Sequence, residues 1–295
     1  MTKAIIVAFH KYTPFGGEYY EPILDFFIQN AERFCDEFDT LYLLDSTWDI
    51  TDEKIRKTSI PVSYKTKIVK IDPNLRYYDA YKKVLPEIEE DLVLFMDNDM
   101  VIHQRGKMKE TFEILENVNL PIGRPYDVVS IYDTIGKLIS PILNNKSKFC
   151  PYWFATRKEL LMKYRDCEWG PVEWGETLSE LTLKMISDNI KPYEWEEDKS
   201  NCLFDGKQDG DRSRRLGYYH IRSGSVPAYL LATRKYGDRQ TYLDYINNQP
   251  RSEYLRQCAW YRHMGGNVDL ILDDLDIAPS EWEEYMKRFK TYYGL

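Results

Sequence analysis

Two aspartates one residue apart, Asp97 and Asp99, follow directly on the apolar run Leu92–Met96 in the segment LVLFMDNDMVI. Carboxylates at the end of a buried strand cost free energy unless something compensates them. A divalent cation does so well. Aspartate oxygens suit Mg²⁺ or Mn²⁺, and these ions keep open positions for phosphate oxygens. The competing reading is a solvated loop whose carboxylates cap local backbone. The net charge of −8 does not suit a polyanion such as nucleic acid as the main partner. A small anionic ligand is different, because a bound cation can bridge acid to acid.

These acids need elements to hold them. Residues 4–9 are a short apolar run with β-branched residues and read as a strand, as do the short runs 41–44, 68–71 and 92–96. Between them, residues 21–34 and 75–85 carry apolar side chains at helical spacing. Strands alternating with helices imply an open, mostly parallel α/β sheet flanked by helices. Ligands bind such sheets beyond the carboxyl ends of the strands. Here those ends carry His10, Asp45 and Asp97, and three polar strand ends together make a site. The second half is less regular. Residues 149–155 read as a strand, with a helix from Arg157, and residues 176–186 read as a helix. Residues 200–216 are polar and charged and read as a mobile loop, with a last strand over 217–221. From about Tyr229 the chain reads as helical. Ser280 and Glu283 have capping-box spacing. Trp282, Tyr285, Met286, Phe289 and Tyr293 then form an apolar stripe suited to packing on the body of the protein.

With these motifs in place, the chain resembles the GT-A glycosyltransferases, whose DxD motif follows the fourth strand of a nucleotide-binding half. That resemblance implies a GT-A, Rossmann-like fold over residues 1–240, with a nucleotide-binding half at 1–103, an acceptor half at 104–240 and a helical C-terminal extension at 241–295. It implies a metal-dependent enzyme moving a sugar from a nucleoside-diphosphate sugar of UDP or GDP type to an acceptor hydroxyl. The turn Asp45-Ser46-Thr47-Trp48-Asp49 is similar to the family's acidic turn after the second strand, without its glycine, and gives Asp45 a role at the base or ribose. His220, in His220-Ile221-Arg222-Ser223-Gly224, resembles a late metal-binding histidine that would join Asp97 and Asp99. In many such sites only the second acid binds metal, which would leave Asp97 at the ribose. The segment from Trp174 to Lys184 looks like the family's acceptor region. Either Glu176 or Glu180, four apart on one helix face, would be the general base. Both also fit as solvated helix carboxylates.

Softer features complete the expectation. Tyr152, Trp153, Trp169 and Trp174 flank the presumed acceptor side and could stack on sugar faces. Lys207, Arg212, Arg214 and Arg215 lie in the polar loop, where Arg212 and Arg215 could close over the diphosphate. A base at Glu176 would give inversion; without a placed base, front-side attack with retention stays open. The expected partners are the nucleotide-sugar donor and a carbohydrate or glycoconjugate acceptor. His103 and His263 lack such a context and read as structural.

Bulk features bound these readings. Five scattered cysteines with no CxxC pair fit the reduced cytoplasm better than a disulfide framework or zinc site. The first residues hold too short an apolar run for a signal peptide. No stretch approaches the roughly 20 apolar residues of a spanning helix, so the expectation is a soluble protein, at most touching the inner membrane surface. Two rivals remain. A haloacid-dehalogenase-like phosphatase also carries D-x-D after an apolar strand, and Leu270–Asp274 could mimic its later acidic pair. A non-catalytic carbohydrate-binding protein on the same scaffold is the other.

Overall fold

The computed structural model describes residues 1–9, 17–32, 36–46, 64–102, 105–117, 122–123, 153–170, 178–190, 203–204, 207–208, 218–221, 224–293 and 295. Among them the chain forms two compact units. The first comprises residues 1–10, 32–98 and 104–197, and the second residues 11–31, 99–103 and 198–295.

The first unit is built on a six-stranded sheet in the order β3-β2-β1-β4-β7-β6. Its strands are β1 (Lys3–Phe9), β2 (Thr40–Asp45), β3 (Lys65–Lys70), β4 (Leu92–Met96), β6 (Ile122–Gly123) and β7 (Trp153–Arg157). β1 to β4 are mutually parallel, and β7 runs antiparallel to β4 and to β6. β1, β2 and β4 are buried along nearly their whole length, as the unbroken apolar runs require when both faces are covered. Helices α2 (Tyr77–Val84), α3 (Lys107–Asn117), α4 (Lys158–Lys163) and α5 (Ser179–Ser187) belong to this unit. Its core gathers Ile6, Tyr42, Tyr81, Phe95, Phe154 and Trp169. The expected α/β class with a mostly parallel, helix-flanked sheet and C-terminal helices is what the chain adopts.

The second unit contains α1 (Glu21–Glu32) except its last residue, and the short pair β5 (Met100–Ile102) and β10 (Tyr218–His220). It also holds the hairpin β8 (Leu203–Phe204) and β9 (Lys207–Gln208). Five helices follow: α6 (Val226–Tyr236), α7 (Arg239–Asn247), α8 (Arg251–His263), α9 (Asp269–Asp274) and α10 (Pro279–Tyr293). α8 is buried from Tyr254 to Tyr261 and forms the centre of this bundle. The aromatic stripe of α10 packs inward as expected. Phe289 and Tyr293 meet the Trp260 ring at 5.1 and 4.7 Å. No described helix is long and apolar enough to cross a membrane.

Several boundaries differ from the sequence reading for identifiable reasons. β3 starts three residues early, because Lys65-Thr66-Lys67 belong to a sheet-edge strand, where lysines protect the edge instead of filling a core. α2 ends at Val84 and passes into a 3₁₀ turn containing Pro86, since proline cannot donate to the helical ladder. α5 begins at Ser179, after Leu178, whose φ of 64° is left-handed. α10 begins at Pro279, with Trp282 N–H bonded to the Ala278 carbonyl at 3.0 Å. Ser280 is therefore inside the helix and not its cap, and proline takes the first helical position where its missing N–H is harmless. The strand expected over 149–155 is described from Trp153; residues 149–152 lie outside the described residues.

Candidate functional site

The carboxyl edge of the first unit's sheet carries the clearest arrangement. β2 ends in Asp45, whose side chain is fully buried. A lone buried carboxylate would cost several kcal/mol. Here the Lys70 ammonium lies 2.5 Å from Asp45 Oδ2, because parallel pairing puts Asp45 and Lys70 in register at the ends of β2 and β3. Lys70 itself keeps 35% of its side chain exposed, so this ion pair is sealed on one side and open on the other. The next residue fastens the turn: Ser46 donates both its N–H (3.1 Å) and its hydroxyl (2.9 Å) to the Phe9 carbonyl.

Asp97 stands at the end of β4, half-buried. Asn98 beside it donates its side-chain amide to the Ala8 carbonyl at 3.2 Å, tying the acidic turn to β1. β1 lies between β2 and β4, so Asp45 and Asp97 are two strand spacings apart, about 10 Å. That separation fits a ligand spanning the edge; it is too long for one ion held by both.

Asp99 belongs to the second unit and has a different setting. It is 5% exposed. Its Oδ2 accepts the Gly224 N–H at 2.9 Å, and its carbonyl accepts the Ile221 N–H at 3.1 Å. A side chain at position 224 would bring a Cβ to 3.0 Å from Asp99 Cβ and 3.3 Å from its Oδ2; glycine is what allows this approach. The buried Arg256 guanidinium donates to the Ile221 carbonyl and pairs with Glu253. Asn30 reaches the other side of the strand, donating to the Met100 carbonyl (2.8 Å) and accepting from the Ile102 N–H (3.3 Å). His220 sits in β10 in register with Met100. Asp99 thus has protein partners that account for its burial.

His10, Glu176, Arg212, Arg214 and Arg215 lie outside the described residues, as do His103, Tyr152 and Trp174. Glu180 lies on α5, paired with Lys184 at 2.8 Å across one helical turn. Trp169 is a core residue: it is buried, its Nε1 donates to the Tyr164 carbonyl at 3.2 Å, and its ring meets Phe95 edge-on. It is not available to stack on a sugar. His263 packs edge-on against Phe26 and Trp260, in the structural role expected. The acids at 273 and 274, weighed as a phosphatase-like pair after a strand, lie instead on helix α9. There Asp274 takes the Arg234 guanidinium and the Tyr242 hydroxyl, each at 2.6 Å.

Among the described residues no group of three or more His, Cys, Asp or Glu could hold a metal ion. Asp97 nonetheless fits an ion that arrives with phosphates, since Mg²⁺ commonly uses one or two carboxylates and takes its other ligands from water and substrate. Lys70 and Asn98 were not picked out from sequence. Lys70 could have been, by setting the end of the third strand beside the end of the second.

No family model matches the chain, and no curated protein matches it. Solved structures similar to it include the 4-diphosphocytidyl-2C-methyl-D-erythritol synthase of Anaerococcus prevotii DSM 20548. That structure is 16% identical, with 70% of this chain and 91% of that chain covered and a TM-score of 0.43. Another is a CMP:2-keto-3-deoxy-manno-octonic acid synthetase complexed with CTP, 11% identical, with 70% and 93% covered and a TM-score of 0.42. At such identities and scores the likeness says nothing of what this chain binds. Neither is a glycosyltransferase, however, and no family match ties the chain to one. The expectation of sugar transfer from a UDP or GDP sugar is therefore corrected and withdrawn, while the α/β fold stands on the strand order itself.

Proposed function

We propose that this chain is a nucleotide-dependent transferase that moves a nucleotidyl group from a nucleoside triphosphate to an ionised oxygen of a small, sugar-like acceptor. One observation carries the reading. A single sheet edge of the first unit brings together the buried Asp45, its half-open Lys70 partner and the half-buried Asp97. Such an edge is where open α/β sheets bind ligands. The weight of the reading rests on these residues.

Asp97 would hold a divalent cation that comes with the triphosphate, and the bound ion would offset charge on the phosphates. Asp45 accepts hydrogen bonds from the nucleoside side of the ligand, with Lys70 holding its carboxylate in place. Asn98 holds the acidic turn on β1, which keeps Asp97 from shifting as ligand enters. In the transfer, an acceptor oxygen forms a bond to the α-phosphorus as that phosphorus loses its bond to the bridging oxygen. The electron pair leaves with pyrophosphate. Asp99 is given an anchoring role in the second unit through Gly224. Cys167 and Cys258 are buried free thiols, which suits a reducing compartment.

The test is a thermal-shift screen of CTP, UTP, GTP and ATP with and without Mg²⁺, joined to a pyrophosphate-release assay. One triphosphate should raise the melting temperature only with Mg²⁺, because a ligand that binds the folded state stabilises it by mass action. Absence of any such shift across all four would overturn the reading.

A further inference from the structure

We propose that Arg76 binds the outer phosphates of the triphosphate, the part that leaves as pyrophosphate; this rests on the nucleotide reading of the same edge. The first argument is topological. α2 connects β3 to β4, two parallel strands, so it runs back against them and begins at their carboxyl edge. Its packing fixes the level. The Tyr81 ring lies 4.8 Å from Phe95, and its hydroxyl reaches the carbonyl of Met96, the residue before Asp97, at 3.5 Å. Arg76 is five residues earlier, about 7.5 Å farther along the helix axis, and so extends past the strand ends where Asp97 and Lys70 stand.

The second argument is the state of the guanidinium. Its centre lies 4.5 Å from the centroid of the Tyr78 ring, and its Nε bonds Asp79 Oδ2 at 2.9 Å. Tyr78 is itself buried, and its ring lies where only a glycine at 170 permits, since a Cβ there would come within 2.3 Å of it. The arginine is thus held by a fixed ring and a carboxylate while 54% of its side chain stays exposed. Its Nε is bonded to Asp79, and the Tyr78 side chain and the Glu168 carboxylate also interact with it, so it is held in place while its solvent side stays open. A planar fork held in place in this way suits bidentate binding of phosphate.

The third argument is charge. Asp45, Asp72, Asp79, Asp97 and Glu168 are among the described carboxylates of this unit that this edge must balance, with Lys70 paired to Asp45 and Arg76 to Asp79. A triphosphate needs cations that can still reach it there, and Arg76, paired on one side, keeps more of its side chain exposed than Lys70 does.

The experiment uses the full chain and its Arg76→Met and Arg76→Lys variants, titrated with Mg²⁺-CTP, CMP and Mg²⁺-pyrophosphate by calorimetry. Arg76→Met should weaken triphosphate and pyrophosphate binding at least tenfold and change CMP binding less than twofold. Arg76→Lys should recover only part of the loss, because an ammonium does not reproduce the fork. Equal weakening of CMP and CTP, or no change in either, would overturn the inference while leaving the nucleotide reading in place. Pyrophosphate binding that depends on Arg76, with no nucleotide bound by the parent chain, would leave Arg76 as a phosphate ligand but overturn its role toward a triphosphate together with the reading. If neither ligand class binds the parent chain, both fall.

Discussion

Asp97 and Asp99 are separated by one residue in sequence, yet the two units use them differently. In the first unit Asp97 is half-buried at a strand end, next to an asparagine that ties the turn to β1. In the second, Asp99 is buried and spent on the N–H of Gly224, 125 residues away. Two identical side chains in one short motif therefore have different work. On the proposed reading Asp97 meets a ligand, while Asp99 holds a turn.

Three substitutions sharpen that contrast. Asp99→Ala should have the largest effect on stability, about 1–3 kcal/mol, because it leaves a buried N–H without its acceptor. Denaturant unfolding followed by tryptophan fluorescence would measure it, and Asp99→Asn should recover part of the loss. Gly224→Ala should cost about 1 kcal/mol, since the new Cβ meets Asp99 Cβ and Ile221 Cγ2 at 3.0 Å. Combined with Asp99→Ala its cost should largely persist, because alanine keeps the Cβ met at 3.0 Å and only the Oδ2 contact at 3.3 Å is relieved; a double-mutant cycle reads that small coupling. Asp97→Ala should change stability least, within about 0.5 kcal/mol, as expected of a half-buried residue outside the core. If Asp97→Ala proves as destabilising as Asp99→Ala, the contrast is false.

Much of the fold could be read directly from the chain, because β1, β2 and β4 are apolar runs that only a doubly covered sheet accommodates. β3 was harder. Lys65, Lys67 and Lys70 disguise an edge strand as a solvated segment, and nothing local says which strand it borders. The same blindness hid Lys70 as the partner of Asp45, since their meeting depends on strand order. Asp45 and Asp97 were legible because each ends an apolar strand. The anchoring of Asp99 was not, because its partner comes from a distant turn. Glu180 shows the opposite case: Lys184 four residues on was visible in the sequence, and the surface pair it forms is worth only a few tenths of a kcal/mol. Trp169 looked available for a sugar because composition cannot tell a buried indole from an exposed one.

The central claim is that the sheet edge of the first unit holds a nucleotide through Asp97 and a cation. The most direct measurement is a calorimetric titration of the parent chain and Asp97→Asn with the triphosphate that the thermal-shift screen selects, in Mg²⁺ and again with EDTA in place of the metal. The account predicts one-to-one binding to the parent chain that EDTA abolishes and that the substitution weakens at least tenfold, with the melting temperature of the free protein unchanged. Binding that ignores both the chelator and the substitution would contradict it.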